Sequence, residues 1–181
     1  MINRDRLAAL RKIEDERFLA LHPKSGEMFK AGQKNMPGGV PMSWMAKWPG
    51  AYPVFVQEAK GARFTDVDGN TYIDFCLGDT GSMTGHSPDA TVAAIREQAG
   101  KGITAMLPTA DAAIVSAELA ARFGLPLWQF TVSATDANRH VNRYSRMITG
   151  RSKIVVIDRC YHGSVDETFA TLNAVGNTVA R

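Results

Sequence analysis

Two short apolar runs that alternate with helical patterns are the feature that most limits the fold of this 181-residue chain. The run KIVVID at 153–158 is almost continuously apolar, and the β-prone run LWQFTV occupies 127–132. A helical pattern between Pro108 and Gly124 precedes the first run, and a second helical pattern at 136–149 separates the two. Near-continuous apolar strands joined by helices are typical of a parallel sheet covered by helices. The pattern therefore predicts an α/β fold.

Small and hydrogen-bonding side chains follow the first apolar run, in the sequence TVSATDANRH at 131–140. Ligands of parallel sheets bind beyond the carboxyl ends of the strands, and RCYHGS at 159–164 follows the second run in the same way. Ser133 or Thr135 could simply cap the next helix. A helix N-terminus also offers unpaired N–H groups and the positive end of the helix dipole, which suit a phosphate. The ring of Tyr161 adds a flat surface, so both capping and a seat for a phosphorylated aromatic ligand stay open.

Composition and charge narrow the class of protein. Apolar residues make up 45% of the chain and the net charge is +3, so a buried core is possible and no nucleic-acid partner is indicated. No apolar run approaches the roughly 20 residues of a membrane span, and no membrane partner is predicted. The N-terminal sequence MINRDRLAALRKIEDERF carries charges of both signs and no apolar core, unlike a signal peptide. Cys76 and Cys160 are expected to be reduced thiols of a cytoplasmic protein.

The N-terminal third combines a helix with an unusual loop. Apolar residues at helical spacing predict an amphipathic helix over 4–21, which His22-Pro23 ends. The loop NMPGGVPMSWMAKWPGAYP that follows later is rich in Met and Trp and is too apolar for a solvated linker. We expect residues 36–53 to be buried between the subunits of a homodimer, because contact with a partner would cover this apolar area.

A turn signal lies in the sequence ARFTDVDGNTYIDF at 62–75. The pair Asp68-Gly69 stands between two alternating segments, which predicts a β-hairpin. Asp66, Asp68 and Asn70 alternate as in a calcium loop, but the glycine at the sixth position and the late bidentate glutamate are missing. No metal site is therefore predicted.

Several stretches of the chain, in order, resemble the N-terminal half of class-III pyridoxal-phosphate (PLP) enzymes, the ω-aminotransferases and glutamate-1-semialdehyde aminomutases. The resembling stretches are MPGGV, GARFTDVDGNTYIDF, GH followed by Pro88, VSATDAN, and TGRSKIVVIDRCYHG. The resemblance covers about residues 28–170 and implies PLP fold type I, the aspartate aminotransferase-like α/β fold. It divides the chain into an N-terminal helix and interface loop (1–60) and a hairpin with the first, incomplete part of the PLP-binding domain (61–181).

The resemblance also implies a cofactor site. In the family, the residues after the serine of the helix junction bind the PLP phosphate, which assigns this role to Ala134 and Thr135, with Ser133 beside them. The family's YHG aromatic stacks on the pyridine ring, which assigns Tyr161, with His162 nearby. Ala134 replaces the family's usual glycine, so the turn must avoid a positive φ or shift slightly.

Substrate contacts are implied less directly. In the aminomutases, an arginine soon after PGGV binds the substrate carboxylate, whereas the aligned position here is Met45, with Trp44 and Lys47 beside it. Asp79 stands where the family usually carries an aromatic residue; it either meets a cationic or hydroxylated substrate or caps a turn. Trp44 and Asp79 are expected to face the substrate side of the cofactor.

The catalytic residues of the family are expected elsewhere. The lysine that forms the Schiff base with PLP, and the acid facing the pyridine nitrogen, lie well downstream of YHG. No lysine here matches that position, so no catalytic residue is assigned to this chain, which alone is expected to be inactive. The resemblance implies the N-terminal portion of an aminotransferase that moves an amino group between an amine or amino acid and an oxo acid. A glutamate-1-semialdehyde 2,1-aminomutase-like isomerase, or a non-catalytic fragment retaining only the phosphate seat, remain the alternatives, with the C-terminal part a separate chain or missing.

Overall fold

Two helices open the chain, and local capping sets their boundaries. In the computed structural model, which describes residues 3–180, α1 spans Arg4–Leu21 and α2 spans Pro23–Gly32. The side chain of Asn3 accepts a hydrogen bond from the Arg6 N–H at 2.9 Å and so caps α1. A proline opens α2, where its missing N–H needs no partner. The helix predicted over 4–21 is confirmed.

The Met- and Trp-rich segment after α2 is mostly irregular, as the sequence predicts. It contains two short 3₁₀ turns, at Pro37–Gly39 and Ser43–Ala46. Val40 is the buried apolar residue of this segment, whereas Trp44 and Met42 are exposed. The first unit of the chain, which ends at Ala105, thus has little apolar core at this point.

The predicted hairpin is confirmed as part of a three-stranded antiparallel sheet. The strands β1 (Val56–Lys60), β2 (Arg63–Asp66) and β3 (Thr71–Ile73) lie in that order. Gly69 adopts a φ of 92° in the β2–β3 turn, a conformation that disfavours any residue with a Cβ. The turn is closed by a hydrogen bond of 3.0 Å from the Gly69 N–H to the Asp66 carbonyl.

Buried polar groups tie the hairpin to the two helices. The Asp68 carboxylate caps α2 by accepting hydrogen bonds from the Lys24 N–H at 2.7 Å and the Ser25 N–H at 3.1 Å. Asp66, which is 1% exposed, accepts a hydrogen bond from the Tyr72 hydroxyl at 2.9 Å. The same hydroxyl lies 2.6 Å from Nε2 of His22, the residue that follows α1. The acidic residues of this turn therefore serve as structural hydrogen-bond acceptors.

Three more α-helices lie within residues 3–180, and the two in the second unit agree with the helical patterns at 108–124 and 136–149. In the first unit, α3 spans Asp89–Ala99. The second unit begins at Met106 and contains α4 (Ala110–Phe123) and α5 (Ala134–Thr149). A short antiparallel pair that the sequence did not predict, β4 (Ala170–Leu172) and β5 (Thr178–Ala180), ends the described part. No helix within residues 3–180 is both long enough and apolar enough to cross a membrane.

The two strands predicted at 127–132 and 153–158 are not formed. Both segments are irregular, and among the described residues neither has a neighbouring strand that bonds to its backbone. Val132 is 98% exposed and Val155 is 95% exposed, so no element of residues 3–180 covers these side chains. The prediction was wrong in this respect. An apolar run has the side chains of a buried strand, but a strand forms only when a neighbouring strand accepts and donates its backbone hydrogen bonds.

Candidate cofactor-binding site

Ser133 is the N-cap residue of α5; it immediately precedes the helix and has an extended backbone. Its Oγ accepts a hydrogen bond from the Asp136 N–H at 3.2 Å, so the capping interpretation is correct for this residue. Ala134 is the first helical residue and is not among the described residues with a positive φ. The replacement of glycine by alanine is therefore accommodated without the strained conformation that the sequence left open.

The same helix end can also bind an anion. The N–H groups of Ala134 and Thr135 bond to no acceptor within residues 3–180, while the next N–H is capped by Ser133. Free N–H groups and the positive end of the helix dipole together attract negative charge. Capping and anion binding are compatible here because Ser133 uses only one of the helix's N-terminal donors.

The YHG segment lies directly against this helix end. The Ser164 N–H donates a hydrogen bond of 3.1 Å to Oγ1 of Thr135. Because Oγ1 acts as the acceptor in that bond, the Thr135 hydroxyl hydrogen remains available for a ligand oxygen. A second hydrogen bond, of 2.8 Å, runs from the Asn138 side-chain amide to the His162 carbonyl and also joins the YHG segment to α5.

Close approach at this junction requires a glycine. Gly163 has a φ of +80°, and a Cβ placed there would lie 2.5 Å from Oγ1 of Thr135 and 2.9 Å from its Cα. Both distances are shorter than van der Waals contact, so any side chain at this position would push the segment away from α5. The glycine of YHG is thus required by packing against the first turn of α5.

Tyr161 and His162 present different groups at the site. The ring of Tyr161 is 67% exposed, which leaves a face open for stacking. The Nε2 atom of His162 is buried and has no hydrogen-bond partner among the described residues. A buried nitrogen without a hydrogen-bond partner is unfavourable, so this segment leaves one polar group unsatisfied. The second unit thereby brings together the predicted residues Ser133, Ala134, Thr135, Tyr161 and His162.

The two predicted substrate residues lie in the first unit. Trp44 is 63% exposed and lines an apolar cavity of about 330 Å³ together with Trp48 and Phe55. Asp79 is exposed and does not line that cavity. Its φ is 53°, and Leu77 and Thr80 beside it also have positive φ values, which is a strained backbone for residues other than glycine.

A hydrogen-bonded pair that sequence reasoning missed, Asp74 and His86, holds the strained loop. The Asp74 carboxylate accepts hydrogen bonds from the backbone N–H groups of Cys76 at 2.8 Å and Leu77 at 2.9 Å, and its other oxygen lies 2.6 Å from His86 Nε2. The hydrogen bond with His86 is the main cause that lowers the pKa of Asp74. The GH motif thus has a structural role that its resemblance alone did not suggest.

Asn138 is a further residue to which the sequence alone assigned no role. It follows Thr135 by three positions on α5, so the two side chains share one helical face. This spacing, with a polar side chain inside a helix, is the signal that could have identified it.

Comparison with known proteins identifies the family of the chain. The family model for aminotransferase class-III matches residues 44–178. Glutamate-1-semialdehyde 2,1-aminomutase of Methanocaldococcus jannaschii is 37% identical over 144 residues, which cover 79% of this chain and 33% of that protein. The chain therefore spans about a third of the length of this curated relative.

Solved structures give the same result. A variant of the glutamate-1-semialdehyde-aminomutase from Pseudomonas aeruginosa PAO1 in complex with PMP superposes with a TM-score of 0.92, at 50% identity, over 99% of this chain and 40% of the other. A transaminase with PLP bound superposes with a TM-score of 0.78, at 32% identity, over 88% of this chain and 37% of the other. The fold is that of the N-terminal segment of fold-type-I PLP enzymes, so the predicted fold class is confirmed.

Proposed function

Because the chain belongs to the class-III aminotransferase family, we propose that it is the N-terminal portion of a PLP-dependent enzyme that transfers an amino group between an amine or amino acid and an oxo acid. The observation that carries the proposal is the junction in the second unit, where free N–H groups at the start of α5 meet the YHG segment. A phosphate seat beside an exposed aromatic ring suits a phosphorylated pyridine.

The proposed cofactor contacts divide by chemistry. Ser133, Ala134 and Thr135 hold the phosphate through two backbone N–H groups and two hydroxyl groups that can still donate. Tyr161 stacks on the pyridine ring, and His162 lies beside it, with a buried Nε2 that has no hydrogen-bond partner among the described residues. When bound, PLP supplies an electron-withdrawing ring that stabilises negative charge on the substrate carbon. The chain's own residues bind and orient that ring.

Trp44 and Asp79 are proposed to lie on the substrate side of the cofactor. The strained backbone around Asp79 supports this role, because such strain is concentrated at functional sites. The exposed carboxylate would favour a cationic or hydroxylated substrate.

A glutamate-1-semialdehyde aminomutase is the second candidate. Its support is the 37% identity with a curated aminomutase and the 50% identity with a solved one. Met45 at the position where the aminomutases carry an arginine favours the aminotransferase instead, because a thioether cannot bind a carboxylate as a guanidinium does.

We further propose a homodimeric, cytoplasmic parent protein with an interface segment in residues 1–60 and the first part of the PLP-binding domain in 61–181. The exposed indoles of Trp44 and Trp48 support burial of the loop 36–53 against a second subunit. The PLP-binding lysine is proposed to lie in a C-terminal part, so residues 1–181 alone are inactive.

One experiment tests the activity and distinguishes the two reactions. Protein isolated from its source is assayed with PLP for amino transfer from amine donors to oxo acids, and in parallel for isomerisation of glutamate 1-semialdehyde. We expect amino transfer with the oxo acids; isomerisation alone would replace the first candidate with the second. Variant Thr135→Ala should lose activity, and Arg139→Gln on the exposed side of α5 is the matched control.

The fragment proposal is tested separately. Residues 1–181 are expressed alone, incubated with PLP and reduced with borohydride, and the intact mass is measured. We expect no stoichiometric adduct. A single dominant PLP adduct on one lysine of this chain would contradict the proposal that the lysine lies elsewhere.

A further inference from the structure

The two bonds that attach the YHG segment to α5 lie on either side of one residue. Asn138 Nδ2 donates to the carbonyl of His162 at 2.8 Å, and Thr135 Oγ1 accepts from the N–H of Ser164 at 3.1 Å. Gly163 lies between these two backbone groups with a φ of +80°. The peptide groups before and after the glycine are therefore fixed to one helical face.

The two side chains do not have equivalent roles. Thr135 belongs to the anion-binding turn itself, so its loss removes a phosphate contact as well as an attachment. Asn138 lies one helical turn further along α5, and among the described residues its side chain hydrogen-bonds to the His162 carbonyl. That carbonyl is one residue from Tyr161, so the Asn138 amide restrains the backbone that carries the exposed ring.

From this geometry we infer that Asn138 is a positioning residue, which holds Tyr161 in the orientation that stacks on the cofactor ring without contributing to the phosphate seat. The inference rests on the proposed function, since it assumes that a pyridine ring occupies the site. On this inference, two residues of α5 have separate roles: Thr135 contacts the phosphate, and Asn138 orients the residue that contacts the ring.

Chemistry restricts which replacements retain the effect. The bond needs a donor, because its acceptor is a carbonyl oxygen. Asn138→Leu keeps a similar volume and removes the donor. Asn138→Asp keeps the shape but turns a carboxylate oxygen towards the carbonyl, and it lowers the net charge by one. Arg139→Gln produces the same change of charge on an exposed neighbour and serves as the matched control.

The test measures two ligands on the full chain. Pyridoxamine 5′-phosphate binds without a lysine linkage and reports ring and phosphate together, whereas inorganic phosphate reports the anion seat alone. For Asn138→Leu and Asn138→Asp we expect the affinity for pyridoxamine 5′-phosphate to fall about tenfold, equivalent to about 1.4 kcal/mol. The affinity for inorganic phosphate should be unchanged in Asn138→Leu. For Asn138→Asp, the affinity for inorganic phosphate should equal that of Arg139→Gln, because both substitutions change the net charge by the same amount.

A spectroscopic measurement separates positioning from general stability. The circular dichroism of the bound pyridine depends on the ring's orientation, so Asn138→Leu saturated with pyridoxamine 5′-phosphate should show a reduced signal per bound ligand. Unchanged affinity and an unchanged signal would overturn the inference while the proposed function stands. An equal loss of both ligands would also overturn it, because Asn138 would then support the whole site. If the unmodified chain binds neither ligand, the proposed function fails and the inference fails with it.

Discussion

Gly163→Ala is the substitution whose effect can be worked out most completely from the structure. Gly163 and Gly176 have nearly the same φ, +80° and +82°. An added Cβ at Gly176 meets nothing within 4 Å, whereas at Gly163 it would lie 2.5 Å from Oγ1 of Thr135. The two alanine variants therefore share the conformational strain and differ in the steric clash.

The expected magnitudes follow from these two contributions. Placing alanine in the left-handed region costs about 1 to 2 kcal/mol, which is the whole effect expected for Gly176→Ala. In Gly163→Ala the YHG segment must also move away from α5, and two hydrogen bonds of about 1 kcal/mol each are lost. We therefore expect Gly163→Ala to lower the free energy of unfolding by about 2 kcal/mol more than Gly176→Ala.

Urea unfolding of both variants and the unmodified chain measures this difference, and pyridoxamine 5′-phosphate binding is measured in parallel. The double variant Gly163→Ala, Thr135→Ala removes the closest contact atom, so its combined cost should be less than the sum of the single costs. Equal losses of stability in Gly163→Ala and Gly176→Ala would refute the reasoning, because the clash would then contribute nothing.

Three further predictions concern the phosphate seat, the hairpin and the loop. Ser133→Ala should weaken binding of inorganic phosphate and destabilise α5 by about 1 kcal/mol, measured by equilibrium dialysis and urea unfolding; unchanged values for both would contradict its dual role. Burial opposes ionisation of Asp66, but hydrogen bonds from Asn70 and Tyr72 outweigh it and hold the pKa below the ordinary value. The stability that Asp66 provides relative to Asp66→Asn should therefore be complete above about pH 4 and disappear as the pH falls through the folded-state pKa, which unfolding curves across pH would detect. Acrylamide quenching of Trp44 in the assembled protein should be much weaker than its exposure in the single chain implies; equal quenching would contradict the interface proposal.

Local features of this chain could be predicted from sequence because their causes are local. The Asp68-Gly69 turn needs a glycine at positive φ, and Ser133 caps α5 with an atom three residues away. The helices α1, α4 and α5 were predicted for the same reason, since apolar periodicity and end signals lie within each segment, whereas α2 was not predicted. The resemblance then supplied what local rules could not, the proposal that Tyr161 and the first turn of α5 belong to one cofactor site.

Contacts between distant residues were not predictable in this way. No local rule connects Asn138 with the carbonyl of His162, or Asp74 with His86 twelve residues later. The acidic residues of the hairpin illustrate the limit. Their alternation suggested a calcium loop, which the missing glycine and glutamate then excluded. Their actual roles depend on distant residues, since Asp68 caps α2 and Asp66 accepts a hydrogen bond from Tyr72.

The two unformed strands connect the fold to the proposed function. Residues 127–132 and 153–158 each end at one half of the cofactor site, so in a parallel sheet their carboxyl ends would deliver Ser133 and Tyr161 to the same edge. In this chain the junction is instead held by side-chain bonds from Thr135 and Asn138 to the YHG segment. The site's local geometry therefore does not require the sheet, whereas covering Val132 and Val155 does require further strands and helices. The segments 127–132 and 153–158 thus lack neighbouring strands within residues 3–180 of a chain that spans about a third of a relative's length, whereas the junction between α5 and the YHG segment is held by its own side-chain bonds.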